Sequence, residues 1–330
     1  MKNNNQILKH LDFERFVKTA DSQDLSKEQS IFINKEVVGK VDIDGVHFSN
    51  NYATIYFKTI SSFDTNSLVD ISKLHKTIWN QRKVPFLYVS APTEIRVYNC
   101  LKEPVDPDKD LKKIDDLELA RYSVNDTKEH LKELVDILSR EAVDSGRIWK
   151  NDEFTRHFET SRSVDSKLVQ NLKEAKAKLE KRRISIDTIH NLLTRSLFIL
   201  YLEDIGATEN SKNSNKKYFE NFKTGATSYF EILNDRNATY KLYNTFEKKF
   251  NGDLFAISEV EKETVAKEDL NIIASCFWGN ELNTGQQSLW RMFDFSVIPI
   301  ELLSEIYEIF LNKTDKEKSK SGEYYTPHSL

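Results

Sequence analysis

The amino-acid sequence predicts an α+β fold that is mostly helical, in which a small N-terminal α/β domain precedes an all-α domain. Between residues 46 and 99, short segments alternate apolar and polar side chains, which is the two-residue period of β-strands. From about Asn125 onward, apolar side chains recur every three or four residues, which is typical of amphipathic helices. The chain has 330 residues, more than one ordinary hydrophobic core accommodates, so we expect two domains.

The N-terminal domain is predicted to contain two short helices, then four strands with a helix between the second and the third. Apolar spacing predicts the first helix over residues 7–19, and Ser26-Lys-Glu-Gln29 has the form of a capping box that starts the second. The predicted strands, the helix between them and a last edge strand cover residues 46–49, 53–58, 69–81, 84–90, 94–99 and 120–124. We therefore place this domain at residues 1–125.

The rest of the chain is predicted to be helical, and its helices start and stop at recognisable signals. Ser185 is the expected N-cap and Gly206 the expected end of a central, strongly apolar helix. Asp269 is the expected N-cap of a helix that ends at Gly279, and a further helix begins at Pro299. The other predicted helices cover residues 127–140, 164–183, 229–233 and 240–250.

Composition narrows the classes of function. The formal net charge is -4, so the surface as a whole is not a general nucleic-acid binder, and any DNA contact requires a local patch. Cys100 and Cys276 lack metal-ligand spacing and are expected to be buried free thiols. The N-terminus has no signal-peptide core, and no apolar run reaches the roughly 20 residues that span a bilayer. We therefore expect a cytoplasmic protein that does not contact a membrane.

A charged, polar run after the last helix leads to a short aromatic element near the C-terminus, Gly322-Glu-Tyr-Tyr-Thr-Pro327. A helix that begins at a proline, a polar linker and this element together resemble the entrance to the catalytic domain of adenine-N6 DNA methyltransferases. Those enzymes belong to restriction-modification and related phage-defence systems. Residues 78–99, 198–206 and 250–255 resemble the same group, in the same order.

The resemblance implies a domain organisation and a cofactor site. The helical domain then covers residues 126–312, and residues 313–330 are a linker and the start of a methyltransferase domain that the sequence leaves incomplete. In that family the Tyr-Thr-Pro element helps to hold S-adenosylmethionine. This implies cofactor-binding roles in the complete enzyme for Tyr324, Tyr325, Thr326 and Pro327.

The resemblance also implies double-stranded DNA as a partner, and a restriction or specificity subunit as a further one. The chain contains no Gly-x-Gly turn for the cofactor and no Pro-Pro pair. It therefore lacks the Asn-Pro-Pro-Tyr-like loop with which such enzymes grip a flipped adenine. We expect no catalytic residue in this chain, no metal, and no activity unless a catalytic domain follows. The alternative is a non-enzymatic module that binds DNA or a protein and recruits a separate methyltransferase.

The N-terminal domain resembles the nuclease core found at the front of restriction enzymes, in which two acids and a lysine hold Mg²⁺ and activate water. The candidate lysine is Lys58, at the end of a predicted strand. The position two residues earlier is Tyr56, which has no carboxylate, and Asp42 and Asp44 lie upstream in an unsuitable register. We expect either a degenerate nuclease-like scaffold without its metal site or an unrelated α/β domain.

Two groups of basic residues are candidates for DNA contact. Residues 165–183 contain seven Lys or Arg and three Asp or Glu, a local excess of +4 on one predicted helix. Phosphate neutralisation by such residues supplies most non-specific DNA affinity, but a solvated helix face has the same pattern. Arg82 and Lys83 lie in a predicted loop, where they either meet phosphate or remain solvated.

Other titratable residues are expected to be structural. His75 has no partner acid or second histidine nearby in sequence, so it is neither a predicted base nor a predicted ligand. Arg96 is expected to point outward from its strand. Glu203 and Asp204 are adjacent on a helix and point about 100° apart, so they do not converge on one substrate atom. We expect them to be surface or capping groups.

Overall fold

The computed structural model describes residues 6–150, 163–208, 215–250, 253–283, 288 and 290–304. The predicted α+β, mostly helical fold class is confirmed. The chain divides into two compact units. The first, here called the sheet unit, comprises Met1–Lys167 and Ser288–Ile298, and the second, the helical unit, comprises Leu168–Gln287 and Pro299–Leu330. Among the described residues, no helix has the length and apolarity needed to cross a bilayer.

A five-stranded mixed sheet is the centre of the sheet unit, with its strands side by side in chain order. The strands are β1 (Gly45–Ser49), β2 (Tyr52–Thr59), β3 (Phe86–Ala91), β4 (Glu94–Asn99) and β5 (Glu118–Ser123). Strands β2 and β3 are parallel, because a helix connects them, and the other neighbours are antiparallel. The predicted strands and the predicted edge strand are confirmed. Asn50, in the turn between β1 and β2, has the positive φ of 57° that this residue type tolerates.

The helices of the sheet unit are mostly short, except for the one that connects the parallel strands. They are α1 (Gln6–His10), α2 (Lys27–Phe32), α3 (Thr65–Gln81), α4 (Pro107–Asp110), α5 (Lys128–Leu138) and α6 (Arg140–Asp144). A π-helical turn, Ile33–Val37, extends α2, and 3₁₀ turns lie at Leu111–Leu117 and Arg147–Lys150. The predicted capping box is confirmed, since Ser26 and Gln29 each accept a hydrogen bond from the other's backbone N–H.

The helix predicted over residues 7–19 is wrong beyond His10. Asp12 adopts a left-handed φ of 61°, which ends the helical path. Lys18 then forms a β-bridge with Val46, at the outer edge of β1. The apolar side chains that produced the helical pattern are still buried, because Leu11 and Phe13 lie in the core. The pattern identified buried residues correctly and their backbone conformation incorrectly.

Each face of the sheet packs against its own hydrophobic core. One core contains Phe57, Tyr88 and Val97 of the sheet together with Leu138 of α5 and Val143 of α6. The other core lies on the opposite face, where α3 packs, and its members include Tyr56, Ile78, Leu87 and Tyr98. The sequence places a domain boundary at residue 125, whereas the compact unit continues to Lys167 because α5 and α6 cover the first face.

The helical unit contains short and medium helices with clear capping signals. Helix α7 (Val164–Lys181) starts in the last residues of the sheet unit. It is followed by α8 (Ile186–Asp204), α9 (Asn215–Glu220), α10 (Tyr229–Leu233), α11 (Arg236–Phe250), α12 (Glu259–Thr264), α13 (Lys267–Trp278) and α14 (residues 300–304). As predicted, Ser185 caps α8, Gly206 follows its end with a φ of 73°, and Gly279 ends α13 with a φ of 95°.

Two predicted helix starts differ by one or three residues. The N-cap of α13 is Ala266, not Asp269, which lies three residues later and accepts a hydrogen bond from the Ala266 N–H at 2.8 Å. The acidic side chain therefore caps the helix start from inside the first turn. The last described helix starts after Pro299, whose carbonyl accepts from the Leu302 and Leu303 N–H groups. The predicted turn at residues 251–253 and the predicted helix beyond residue 304 extend outside the described residues.

A prediction concerns the attachment of α5 to the sheet. The buried Tyr88 hydroxyl donates a hydrogen bond to the Leu138 carbonyl at 2.9 Å. Tyr88→Phe leaves that carbonyl buried without this donor, and we expect the free energy of unfolding to fall by about 1–3 kcal/mol. Chemical denaturation measures this change. Tyr52→Phe, at a residue that is 79% exposed, is the matched control and is expected to be neutral. Equal stabilities of the two variants would contradict the role of Tyr88.

Candidate functional site

The predicted cofactor residues Tyr324, Tyr325, Thr326 and Pro327 lie outside the described residues. Their role stays a prediction. The described residues do cover the other candidate positions, namely the nuclease-like corner of the sheet, the basic helix and His75.

The corner of the sheet that resembles a nuclease site has no set of converging carboxylates. Lys58 lies at the end of β2, and its Nζ is 2.8 Å from Oδ2 of Asp42, which is 91% exposed. Asp44 instead accepts a hydrogen bond from the Thr59 N–H at 2.6 Å, so it holds the backbone where β2 ends. In the part of the chain that the structure describes, no three His, Cys, Asp or Glu residues are grouped to hold a metal ion.

Tyr56, at the position where the nuclease pattern has an acid, is part of a buried hydrogen-bonded chain. Its hydroxyl donates to Gln81 Oε1 at 3.1 Å, and the Gln81 amide donates to the Glu36 carbonyl at 2.5 Å. The Glu36 carboxylate pairs with Lys83 at 2.7 Å. Burial raises the pKa of Tyr56, so its hydroxyl stays neutral. This position therefore ties β2 to the end of α3 and has no metal-binding chemistry.

Arg82 and Lys83, which the sequence leaves between phosphate contact and solvation, both form ion pairs within the sheet unit. Arg82 adopts a φ of 55° directly after α3, and its guanidinium is 3.1 Å from Asp165. Lys83 is paired with the buried Glu36. Both cations are therefore already paired with a carboxylate, which makes this loop a poor site for binding phosphate.

The prediction that Arg96 points outward is wrong. Arg96 is only 8% exposed, and its guanidinium lies 4.1 Å above the ring of Phe63. Glu94 and Glu118 accept hydrogen bonds from it at 2.6 and 3.0 Å. Glu118 belongs to β5, which pairs with β4, so the partner lies on an element that sequence proximity does not reveal. Buried arginines require such compensation.

His75 is buried on α3 and is neutral. Its Nε2–H donates to the Asn99 carbonyl at 2.7 Å, while Nδ1 has no hydrogen-bond partner among the described residues. Burial lowers the pKa of His75 to about 4. As the sequence suggests, no acid orients the ring, so His75 is a structural residue that joins α3 to the end of β4.

Only some of the basic side chains on the basic helix, α7, are available to bind a ligand, because the others are already paired. Lys167 is paired with Glu103 at 3.2 Å, Lys178 donates to the Leu282 carbonyl, and Arg182 is paired with Asp269. The side chains of the other four basic residues form no hydrogen bond or ion pair with another described residue: Lys173, Lys176, Lys181 and Arg183. Lys176 is half-buried and the other three are exposed.

Glu203, predicted to be a surface or capping group, is a buried capping group. It is 7% exposed, and both carboxylate oxygens lie 3.3 Å from the N–H of Tyr229, the first residue of α10. A carboxylate at a helix N-terminus is favourable because the N–H groups there lack partners. Glu203 and Asp204 therefore do not form a catalytic pair.

The helical unit contains a buried ion pair that the sequence did not reveal. Arg195 on α8 is fully buried, and its guanidinium lies 2.6 Å from Glu261 on α12. It also donates to the carbonyls of Leu254 and Ala256 at 2.7 and 2.5 Å. A single arginine within a strongly apolar helix is the available sequence signal, because such a charge requires a partner. Removal of one partner of a buried ion pair lowers the free energy of unfolding by about 3–5 kcal/mol. We therefore assign this pair to the stability of the helical unit.

A second cluster missed by the sequence joins β1 to α6 in the sheet unit. The ring of His47 is almost fully buried, with Nε2 2.7 Å from Oδ1 of Asp144. The hydroxyl of Ser49 donates to the same oxygen at 2.7 Å, and Arg140 donates to Oδ2 at 3.2 Å. Serine and histidine both contact the aspartate, and neither contact places the serine against the imidazole. The arrangement is therefore not that of a serine nucleophile with its base.

A pocket of about 210 Å³ lies beside β1. Its lining includes residues 18–20, Ile33 and Val37 of the π-helical turn, and residues 43–46 at the start of β1. The lining is mostly aliphatic, with Lys18 and Asp44 as charged members. π-Helical turns are rare in proteins, and many of those that do occur lie at functional sites. The pocket has too few polar groups to define a reaction, but it is a concave surface at the start of the strand that carries His47.

Both cysteines are buried free thiols, as predicted. Burial raises the pKa of Cys100 and of Cys276, so neither thiol is a candidate nucleophile.

Comparisons with protein-family models, with curated proteins and with solved structures found no match for this chain. The residues themselves and the sequence resemblance are therefore the basis for a proposed function.

A prediction concerns the acid sensitivity conferred by His75. Its pKa is about 4 in the folded protein and ordinarily 6.5, so only the unfolded chain binds a proton readily between these values. The contribution to stability is therefore full above pH 6.5 and falls by about 3 kcal/mol as the pH decreases to 4. Denaturant titrations across this range are expected to show less loss of stability for His75→Gln, whose amide can still donate to Asn99.

His10→Gln, at an exposed residue, is the matched control and is expected to keep the wild-type pH dependence. If His75→Gln and the wild type lose stability equally on acidification, His75 is not the buried neutral group described here.

Proposed function

We propose that this chain is the N-terminal portion of an S-adenosylmethionine-dependent adenine-N6 DNA methyltransferase of restriction-modification type. In this proposal it acts in the cytoplasm, supplies scaffolding and DNA-backbone contact, and has no catalytic residue of its own. The sequence resemblance supports the family, and Tyr324–Pro327 are its cofactor-binding residues in the complete enzyme. The observation that carries the non-catalytic role is the structural use of Tyr56 where a nuclease has an acid.

The sheet unit supports a scaffolding role because its candidate phosphate-binding cations are already neutralised. Lys58, Arg82, Lys83 and Arg96 each pair with a carboxylate of the same unit. Recruiting one of them to DNA requires breaking that pair, which is costly where the acid is buried. At the matching corner, the described residues therefore contain no group of three metal-ligating side chains, and Lys58 is paired.

The helical unit supports DNA-backbone contact through the exposed part of α7. Lys173 and Lys176 are three positions apart and share a helix face, and Lys181 and Arg183 follow at its end. Glu180 is the one acid among them on that face, so the local charge stays positive. Contacts of this kind neutralise phosphates without sequence recognition, which suits an accessory region of a methyltransferase.

The alternative is a non-enzymatic module that recruits a separate methyltransferase by binding a protein. Exposed apolar side chains on the sheet unit favour it, since Ile31, Val38 and Tyr52 are 54%, 53% and 79% exposed. Val38 also lines the pocket beside β1. The DNA-binding experiment below distinguishes the two functions.

The test is binding of the purified chain to a short DNA duplex across a range of salt concentrations, with and without S-adenosylmethionine. We expect binding that weakens with salt and does not respond to the cofactor. Replacing Lys173, Lys176, Lys181 and Arg183 with alanine is expected to lower the magnitude of the slope of log affinity against log salt by about 3.6, because each of the four phosphate contacts contributes about 0.9.

The matched control replaces four exposed lysines of the sheet unit, Lys109, Lys112, Lys113 and Lys128, and changes the net charge equally. It is expected to keep the wild-type slope. Equal losses in both variants would show that only overall charge matters and would contradict the assignment to α7. No DNA binding at low salt would favour the protein-recruiting module, and tight cofactor binding would refute the claim that the cofactor site is incomplete.

A further inference from the structure

Residues 14–20, here called the strap, cross the outer edge of β1 and form one wall of the pocket. The strap follows Phe13, whose side chain is fully buried in the sheet core. Beyond that anchor its backbone pairs with β1 through a β-bridge, in which the Lys18 N–H donates to the Val46 carbonyl at 2.7 Å and the Val46 N–H donates to the Lys18 carbonyl at 2.8 Å. Residues 18–20 then line the pocket. Movement of the strap would therefore change the shape of the pocket.

His47 contacts the strap with one ring nitrogen and α6 with the other. Its Nδ1 lies 3.4 Å from the carbonyl of Phe16, and its Nε2 lies 2.7 Å from the carboxylate of Asp144. Both neighbours are acceptors. A neutral imidazole has one N–H, so it satisfies one acceptor and turns a lone pair toward the other, whereas an imidazolium donates to both. The geometry fits the protonated ring.

The charges around His47 are balanced when its ring is protonated. On α6, Asp144 faces the ring and Arg140 pairs with Asp144 at 3.2 Å. Arg140 also pairs with Asp12, just before the strap, at 2.8 Å. Partial burial raises the pKa of Asp144, but hydrogen bonds from Ser49 and His47 outweigh this and leave it below the ordinary value. Asp144 thus remains an anion over the range in which histidine titrates.

Arg140, on α6, also contacts the strap. Its guanidinium lies 4.2 Å above the ring of Phe16, and its backbone N–H donates to the Leu11 carbonyl at 3.0 Å. The strap is therefore fastened through Phe16 twice, by its carbonyl to His47 and by its ring to Arg140. When the His47 contact is lost, the contact of Phe16 with Arg140 and the β-bridge still attach the strap.

Gly45 allows the strap to lie close against β1. A Cβ atom at this position would be 2.3 Å from Cγ1 of Val17 and 3.1 Å from the carbonyl oxygen of Lys18. Any larger residue must shift the Val17 side chain and crowds the backbone of the strap. Gly45 therefore provides a way to open the strap that does not depend on the charge of His47.

We propose that His47 is a protonation-dependent latch that holds the strap against β1 when charged and releases it when neutral, opening the wall of the pocket. When the ring loses its proton, the Phe16 carbonyl loses its donor or Asp144 loses its cationic partner. The strap then opens from β1 more often, while the rest of the sheet remains folded. The pocket is closed on the acidic side and accessible on the alkaline side.

Hydrogen exchange of the full chain, resolved to single amides by NMR, tests the latch. The Lys18 and Val46 amides report the strap, and those of Tyr88 and Val97 in the middle of the sheet report global unfolding. After correction for intrinsic exchange, the protection factors of the first pair are expected to fall about tenfold between pH 5 and 8. Those of the second pair are expected to rise over the same range, because global stability increases as the unfolded chain releases the His75 proton. Ring ¹⁵N shifts of His47 measured in parallel are expected to show two protonated nitrogens on the acidic side.

Two variants separate the latch from a general effect of pH. In His47→Gln, the strap amides are expected to be weakly protected at every pH. In Gly45→Ala, they are expected to be weakly protected while His47 still titrates. Three results would overturn the proposal: wild-type strap protection that does not change with pH, a pH dependence that persists in His47→Gln, or wild-type protection in Gly45→Ala. The wild-type and Gly45→Ala measurements decide the matter if His47→Gln does not fold.

Discussion

The pairing of desolvated charges is the constraint on which the rest of this structure depends. A charge removed from water is tolerated only when a partner and hydrogen bonds compensate it. Arg195 with Glu261, Arg96 with Glu118 and Lys83 with Glu36 each meet this requirement between elements far apart in sequence. These pairs position helices and strands, and they also withdraw cations from binding phosphate. Among the described residues, the unpaired basic side chains of α7 remain available to a nucleic acid.

Local sequence patterns predicted the elements well and predicted long-range partners poorly. The strand alternation, the capping box at Ser26 and the stop at Gly206 depend on neighbouring residues, so each was visible in the sequence. The contact between His47 and Asp144 joins residues 97 positions apart, and no local pattern signals it. The orientation of Arg96 was predicted incorrectly for the same reason, because its acidic partner Glu118 lies on the adjacent strand.

The strap shows how a correct burial pattern leads to an incorrect backbone. Leu11, Phe13 and Val17 have helical spacing, and the first two are fully buried. The chain nevertheless leaves the helix at Asp12 and runs along β1, because Gly45 leaves room for Val17 and a bridge to Val46 satisfies Lys18. Tertiary contacts of this kind outweigh helix propensity in a segment of two turns. For the candidate cofactor residues, sequence resemblance is the basis of the assignment.

The central claim is that DNA contacts the exposed basic residues of α7 and that the paired cations of the sheet unit do not take part. Lysine-modification footprinting with mass spectrometry, on the full chain with and without duplex DNA at low salt, measures this directly. The account predicts that DNA protects Lys173, Lys176 and Lys181 from modification and leaves Lys58 and Lys83 unchanged. Protection of Lys58 and Lys83 with none on α7 would contradict the account and would place the DNA at the nuclease-like corner of the sheet.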